Sequence, residues 1–456
     1  RISIFYITFF ILSGLSLFVA SNKVEGFVMY NRLVTTMMSF CSITILLNRR
    51  LYLLKNFSIL IAVLLLIKSC NTISQFYAGL GKVNLSNLIL SLRNSEGNKN
   101  IFAATIAVQI PFIIYGIFIH KKIWRYLCIF SLGFTVFTLL IINARASYLA
   151  MLLELSLVLV GIFIIHFRDN SVRTIYKNIG IILLTFAVAF FASQRSLKRA
   201  MLTESNSTYG TLGNRLSTIA DTENTATNIR LLYWENIIPA IKQRPITGVG
   251  YGNWKLYSMK YMNNALDDNT FSKHPHNDFL EIMAETGIFG GLAYFLIFVA
   301  AFYIILKILF SSRSVELKYI SIFAFISLTG YFVDACFNFP QERPHMQLLF
   351  VFAISILILS FINDKSILTA EQKIFKSNLL IPISIVFLSI STTYVSYTVL
   401  QSMKAQFVVD NDLNSIDLKP DALPQYKYNE VRTMFPFFPN IAENSHPIGF
   451  KLAKYL

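Results

Sequence analysis

The chain has 456 residues, of which 55% are hydrophobic, 14% aromatic and only 14% charged, with a mean hydropathy of +0.56. A water-soluble domain carries about 25% charged residues, so this composition excludes a disordered chain, a disulfide scaffold and an ordinary cytosolic enzyme. The formal charge of +16 would suggest nucleic acid in a soluble domain. In a chain this apolar it reads instead as the cation excess of cytoplasmic loops, plus whatever an anionic substrate demands, and no nucleic-acid partner is expected.

Apolar runs long enough to cross about 30 Å of hydrocarbon recur near 2–20, 28–47, 57–77, 101–119, 127–142, 147–166, 179–194, 286–310, 319–337, 346–362 and 379–400. They predict an all-α polytopic membrane protein with about eleven transmembrane helices, in contact with membrane lipids. The alternation that marks a membrane β-barrel is missing from these windows. The first run has no small-residue cleavage site, so it reads as a span rather than a signal peptide. Cys41, Cys70, Cys128 and Cys336 lie inside apolar runs without metal-ligand spacing. They read as small buried hydrophobes, and neither a zinc site nor a disulfide framework is expected. Lys68, deep in its span, is expected to pair inside the bundle.

Charge in the short loops sets the predicted sidedness. One set carries fourteen cations, among them Arg49, Arg50, Lys121, Lys122 and Arg313; the opposite set carries six. The cation-rich side is assigned to the cytoplasm. The predicted organisation is then an N-terminal transmembrane bundle over 1–194, one large extracytoplasmic loop over 195–285, a second transmembrane bundle over 286–400 and an extracytoplasmic tail over 401–456. The end of the tail reads as the start of a helix. A long loop within a compact protein usually has a task. This one holds cations, including Arg195, Arg215 and Arg230, on the side where the rule disfavours them.

Inside the loop runs His274-Pro275-His276-Asn277-Asp278-Phe279-Leu280-Glu281, continuing through Thr286-Gly287-Ile288-Phe289-Gly290-Gly291 into an apolar helix. Upstream stand Arg230-Leu231-Leu232-Tyr233-Trp234 and then Pro245-Ile246-Thr247-Gly248-Val249-Gly250-Tyr251-Gly252. These segments resemble the O-antigen ligase and polymerase superfamily of bacterial envelope glycosyltransferases, which includes lipopolysaccharide O-antigen ligases and protein O-oligosaccharyltransferases. His276, Asn277, Gly287 and Gly290 match its H-N-x9-G-x-x-G, while Arg230 and Trp234 match a loop arginine with a tryptophan four residues on. Gly97-Asn98-Lys99-Asn100 resembles a family turn entering a span. Arg145, before Ala146-Ser147, resembles a family arginine at the outer membrane boundary, and Asp334 resembles a family feature, with orienting an arginine as its expected role.

The resemblance implies transfer of a glycan en bloc from undecaprenyl pyrophosphate to an acceptor hydroxyl on lipid A core, another glycan or a protein. The place is the periplasmic side of the inner membrane, and no metal or cofactor is implied. Physically, a departing pyrophosphate gains charge, and guanidinium groups stabilise it through bidentate contacts. Arg145, Arg230 and Arg215 are the candidates. A sugar hydroxyl needs a proton acceptor, and imidazole titrates in the useful range. His276 is that candidate, expected in the first turn of a helix starting beside His274 or Pro275. Asn277 is left with two roles, orienting His276 or binding a sugar hydroxyl. Gly287 and Gly290 are expected on one helical face, admitting a second helix, and Trp234 is a structural candidate. A polymerase or protein O-oligosaccharyltransferase would use the same donor. From other classes, a lipid-linked glycan flippase and a non-catalytic envelope subunit remain, and His276 substitution separates them from an enzyme.

Overall fold

A computed structural model of the chain describes residues 1–167, 172–202, 209–213, 225–261, 273–362, 380–417, 424–442 and 446–456. Among these the architecture is helical, with one isolated bridge between Ile441 and Pro447 and no strand. The helices are α1 (Ile2–Ser16), α2 (Lys23–Leu47), α3 (Leu54–Gly79), α4 (Leu85–Ser91), α5 (Lys99–Ile119), α6 (Lys122–Ile142), α7 (Arg145–His166) and α8 (Val172–Met201). They continue with α9 (Thr225–Gln243), α10 (Trp254–Tyr261), α11 (Asp278–Leu309), α12 (Val315–Phe337), α13 (Pro344–Ile362), α14 (Leu380–Asp417), α15 (Tyr428–Met434) and α16 (Ile448–Ala453).

Among the described residues, ten helices are long and apolar enough to cross a membrane. The chain is an all-α polytopic membrane protein. The remaining predicted span, 28–47, forms as α2, a continuous helix of 25 residues. Its first half carries Lys23, Glu25, Asn31, Arg32, Thr35 and Thr36, and that polarity keeps it out of the set. Most helices overrun their predicted limits by a few residues, α8 by seven at each end (Val172–Met201 against 179–194), and two further cases bear on the site and the tail. The first, α11, begins at Asp278 rather than 286, and the second, α14, continues to Asp417 rather than stopping at 400.

The chain divides into two compact units that cut across the order of its segments: residues 1–3, 43–231 and 296–372 form the first, and 4–42, 232–295 and 373–456 the second. In the first unit α5 is apolar on nearly every face and nearly all of it is buried, as expected of a helix surrounded by others. Lipid tails are as apolar as leucine, so helices in a bilayer associate through close packing and hydrogen bonds. Gly161 of α7 accordingly admits Ile322, and Gly330 of α12 leaves room for the Glu154 carboxyl. Ser327 donates to the Val108 carbonyl (2.8 Å) and Ser131 to that of Ala62 (2.7 Å). Lys68 pairs with Glu96 at 2.6 Å.

In the second unit, aromatic contacts tie α1 to α2 and α11: Tyr6 meets Phe40 edge-on at 5.3 Å, and Phe9 meets Tyr294 at 5.1 Å. Asn253 and Asn22 clasp each other through both side-chain and backbone groups (2.9 and 3.2 Å), and Lys255 pairs with Glu25. Beyond its apolar stretch, α14 carries Val409 and Leu413, which pack on Val431 of α15, while Asp410 pairs with Lys451 of α16.

Candidate functional site

The first unit contains a pocket lined by Lys99, Asn100, Arg145, Ser147, Tyr209, Arg230 and Asn338, with Ala144 and Ala146. Five separate stretches of chain supply these residues, and local chemistry shapes the first two. Gly97 is left-handed (φ 74°), and Asn98 then caps α5 by accepting from the Asn100 backbone N–H at 2.8 Å; this turn delivers Lys99 and Asn100. Asn143 ends α6, also in the left-handed region (φ 64°), where asparagine is tolerated. The next helix starts two residues later, so Arg145 leaves from a sharp corner. That corner is pinned from three sides. Lys99, only 4% exposed, donates to the carbonyls of Ile142 (2.9 Å) and Asn143 (3.4 Å). Asn143 donates to the Gly210 carbonyl (2.7 Å), and Tyr148 to that of Leu140 (2.6 Å). The Lys99 ammonium also lies 4.5 Å from the centre of the Tyr209 ring.

Arg230 enters from α9, its guanidinium 3.5 Å from the Asn338 side-chain oxygen. Asn338 in turn donates to Asp334 at 2.6 Å, and Arg343 approaches the other Asp334 oxygen at 3.5 Å. Asp334 thus holds the asparagine that meets Arg230, and it holds Arg343 directly. Two guanidinium groups and an ammonium in one concave site can receive an anion, because each contributes charge and directed donors.

The second unit builds the histidine segment. His276 precedes the helix rather than opening it: α11 starts at Asp278, and His276 is left-handed with φ 57°. A non-glycine residue in that region carries strain, and such strain concentrates where function demands it. Two consecutive residues of α9 hold the turn. Tyr233 stacks on the imidazole with ring centres 6.2 Å apart and planes 9° from parallel, and the Trp234 indole donates to the Pro275 carbonyl at 2.9 Å. His274 is tied to Glu281 at 2.8 Å. Asn277 is the helix cap, its side-chain oxygen accepting from the Leu280 N–H at 3.1 Å. That oxygen is therefore engaged by the helix, a role beside the two expected for Asn277.

The glycines also act differently from expectation. Gly287 does not lie on a helical face; with φ 78° and ψ 172° it breaks α11. A Cβ at Gly287 would collide with the Ile246 carbonyl, and one at Gly248 with the Glu285 backbone. The approaching neighbour is thus the 245–252 loop, not another helix. The break frees carbonyls and amides that the loop then satisfies. Val249 and Gly250 donate to Ala284 and Glu285 (both 2.9 Å), and Pro245 accepts from Ile288 (2.8 Å). Unpaired backbone groups are costly in apolar surroundings, so this exchange permits a broken helix there. Gly290 lies one turn on, where a Cβ would strike the Thr286 side chain of the preceding turn.

Of the sequence candidates, Arg145 and Arg230 meet in the pocket, and His276, Asn277, Trp234, Gly287 and Gly290 belong to the histidine segment. Arg215 lies outside the described residues. Reasoning from sequence missed Lys99, Tyr209 and Asn338 as pocket residues and Tyr233 as the stacking partner. Only the Gly97–Asn100 turn hinted at the first.

Residues 130–295 match the O-antigen ligase family, Wzy_C. This stretch of the chain is O-antigen ligase-like. The match takes in Arg145, Arg230 and the whole histidine segment as far as Gly290, while Lys99 and Asn338 lie beyond its limits. No curated protein matches the chain significantly. The O-antigen ligase-like region therefore spans parts of both compact units.

Proposed function

We propose that the protein is a membrane glycosyltransferase of the O-antigen ligase type, moving a glycan from undecaprenyl pyrophosphate to an acceptor hydroxyl at the periplasmic side of the bacterial inner membrane. The observation that carries this reading is the convergence of Arg145, Arg230 and Lys99 on one pocket in a chain with a matching family segment. In the reaction, the acceptor oxygen attacks the anomeric carbon of the donor sugar. The bond from that carbon to the pyrophosphate oxygen breaks, and the bonding pair leaves with the lipid pyrophosphate. The acceptor proton passes to His276. Stacking on Tyr233 and the Trp234 anchor fix the ring plane, so a proton acceptor is held without rearrangement. The arginines act on the leaving group, where charge grows during bond cleavage and preorganised donors gain most. Charge stabilisation here comes from side chains, and transfer is expected to persist in excess chelator.

Reconstitution in vesicles with an undecaprenyl-pyrophosphate glycan and, separately, lipid A core, free glycan and protein acceptors tests the proposal. The expected result is a new glycoside with one of the three and release of undecaprenyl pyrophosphate. Movement of the lipid-linked glycan across the bilayer without any glycoside would overturn it in favour of transport.

A further inference from the structure

The segment Phe435-Pro436-Phe437-Phe438-Pro439 follows α15 within the second unit. The Phe438 ring packs edge-on against Tyr394 of α14, with centres 6.4 Å apart. Tyr394 belongs to the membrane-spanning part of α14: residues 382–400 carry no charge, and the first cation beyond them is Lys404. At 1.5 Å per residue, Tyr394 lies about 15 Å short of Lys404 along the axis. The segment therefore runs back from the level of Val409 and Leu413, where α15 packs, to the level of the uncharged stretch 382–400. At its tip Phe437 is 98% exposed, and on α14 Tyr394 and Tyr397 are exposed at 62% and 57%.

From this we infer that residues 435–439 form an aromatic anchor seated in the lipid leaflet at the C-terminal end of the α14 span. The chemistry of the segment suits that position. Irregular backbone is disfavoured in lipid because its amides go unsatisfied, yet two of these five residues are prolines, which have no N–H to satisfy. Phe435 packs back on the Val409, Leu413 and Val431 cluster while Phe437 presents its ring outward, and an exposed aromatic beside a tyrosine pair fits the belt where spans meet headgroups. Continuity with a membrane-spanning helix selects lipid over a second copy of the chain as the occupant.

Two measurements on the full chain test the anchor. A wild-type sample in nanodiscs of phosphatidylethanolamine and phosphatidylglycerol, with a lipid carrying a diazirine beside its glycerol backbone, is irradiated and mapped by peptide mass spectrometry. Adducts are expected on the peptide containing 435–439; adducts confined to the spans overturn the anchor. In parallel, a nitroxide at F437C, with the four native cysteines replaced by alanine, is compared with Y397C as a lipid reference and R432C as an aqueous one. The label at 437 should collide preferentially with oxygen, as at 397, and several-fold less with a water-soluble nickel chelate than at 432. Chelate access equal to that at 432, or spin–spin broadening from a second copy, overturns it.

Discussion

The cation pocket and the histidine segment reach rigidity by opposite routes. In the pocket, side chains reach across distant stretches of sequence: Lys99 binds carbonyls at 142 and 143, and Arg230 meets Asn338. In the histidine segment the backbone does most of the holding. Left-handed turns, a broken helix and loop amides set the shape, and Tyr233 and Trp234 reach in from α9. The contrast teaches where each region should be fragile. Side-chain substitutions ought to grade the pocket, while the histidine segment should tolerate little change in backbone freedom.

The largest expected effect is at His276. His276→Ala removes the proposed proton acceptor, and turnover should fall on the order of a thousandfold, with donor binding retained when measured with a labelled lipid pyrophosphate. Unchanged turnover would show that the segment's rigidity serves something other than proton transfer. Next comes Gly287→Ala, which places a methyl group against the Ile246 carbonyl and forces alanine to a positive φ. A cost of roughly 1–3 kcal/mol from the backbone alone should lower the melting temperature, and a stable, active variant would break the contrast.

In the pocket, Arg230→Ala should raise the donor KM by about tenfold or more, matching the roughly 1.5–3 kcal/mol of a hydrogen bond to a charged group. Arg230→Lys should recover only part, because it lacks the planar fork. Lys99→Gln keeps a donor for the corner but removes its charge, and a KM increase of about threefold to tenfold is expected from the loss of about 1 kcal/mol of attraction between unit charges. Equal kinetics would confine Lys99 to holding the α6–α7 corner. The smallest effect is at Asn277. Loss of the cap in Asn277→Ala should cost about 1 kcal/mol in thermal or chemical unfolding, and Asn277→Asp should restore it. A large KM change in both would assign the side chain to substrate after all.

The helical architecture was legible because apolar run length alone decides what can cross a bilayer. The limits of α11 and α14 were not, since capping at Asn277 and packing at Val409 and Leu413 act after the apolar pattern ends. His276 was legible because its segment is contiguous. The stacking of Tyr233 was hidden, although Trp234 beside it was read as structural: nothing in a helical sequence says which ring meets an imidazole 43 residues later. Lys99 was visible in sequence only as part of the Gly97–Asn100 turn. Its place in the pocket depends on carbonyls more than 40 residues away, and long-range closure of that kind leaves no local pattern. Gly287 was misread for a related reason: a glycine pair at helical spacing serves close helix packing and helix breaking alike, and only the 245–252 loop distinguishes them.

The interrupted ladder of α11 bears on how such proteins can be recombined. The amides of Val249 and Gly250 and the carbonyl of Pro245 complete a helix that cannot complete itself. Neither piece is therefore a free-standing cassette. A chimera that exchanges 245–252 without 284–288, or the reverse, leaves polar backbone stranded in an apolar setting. One that carries both across keeps the bonds between them.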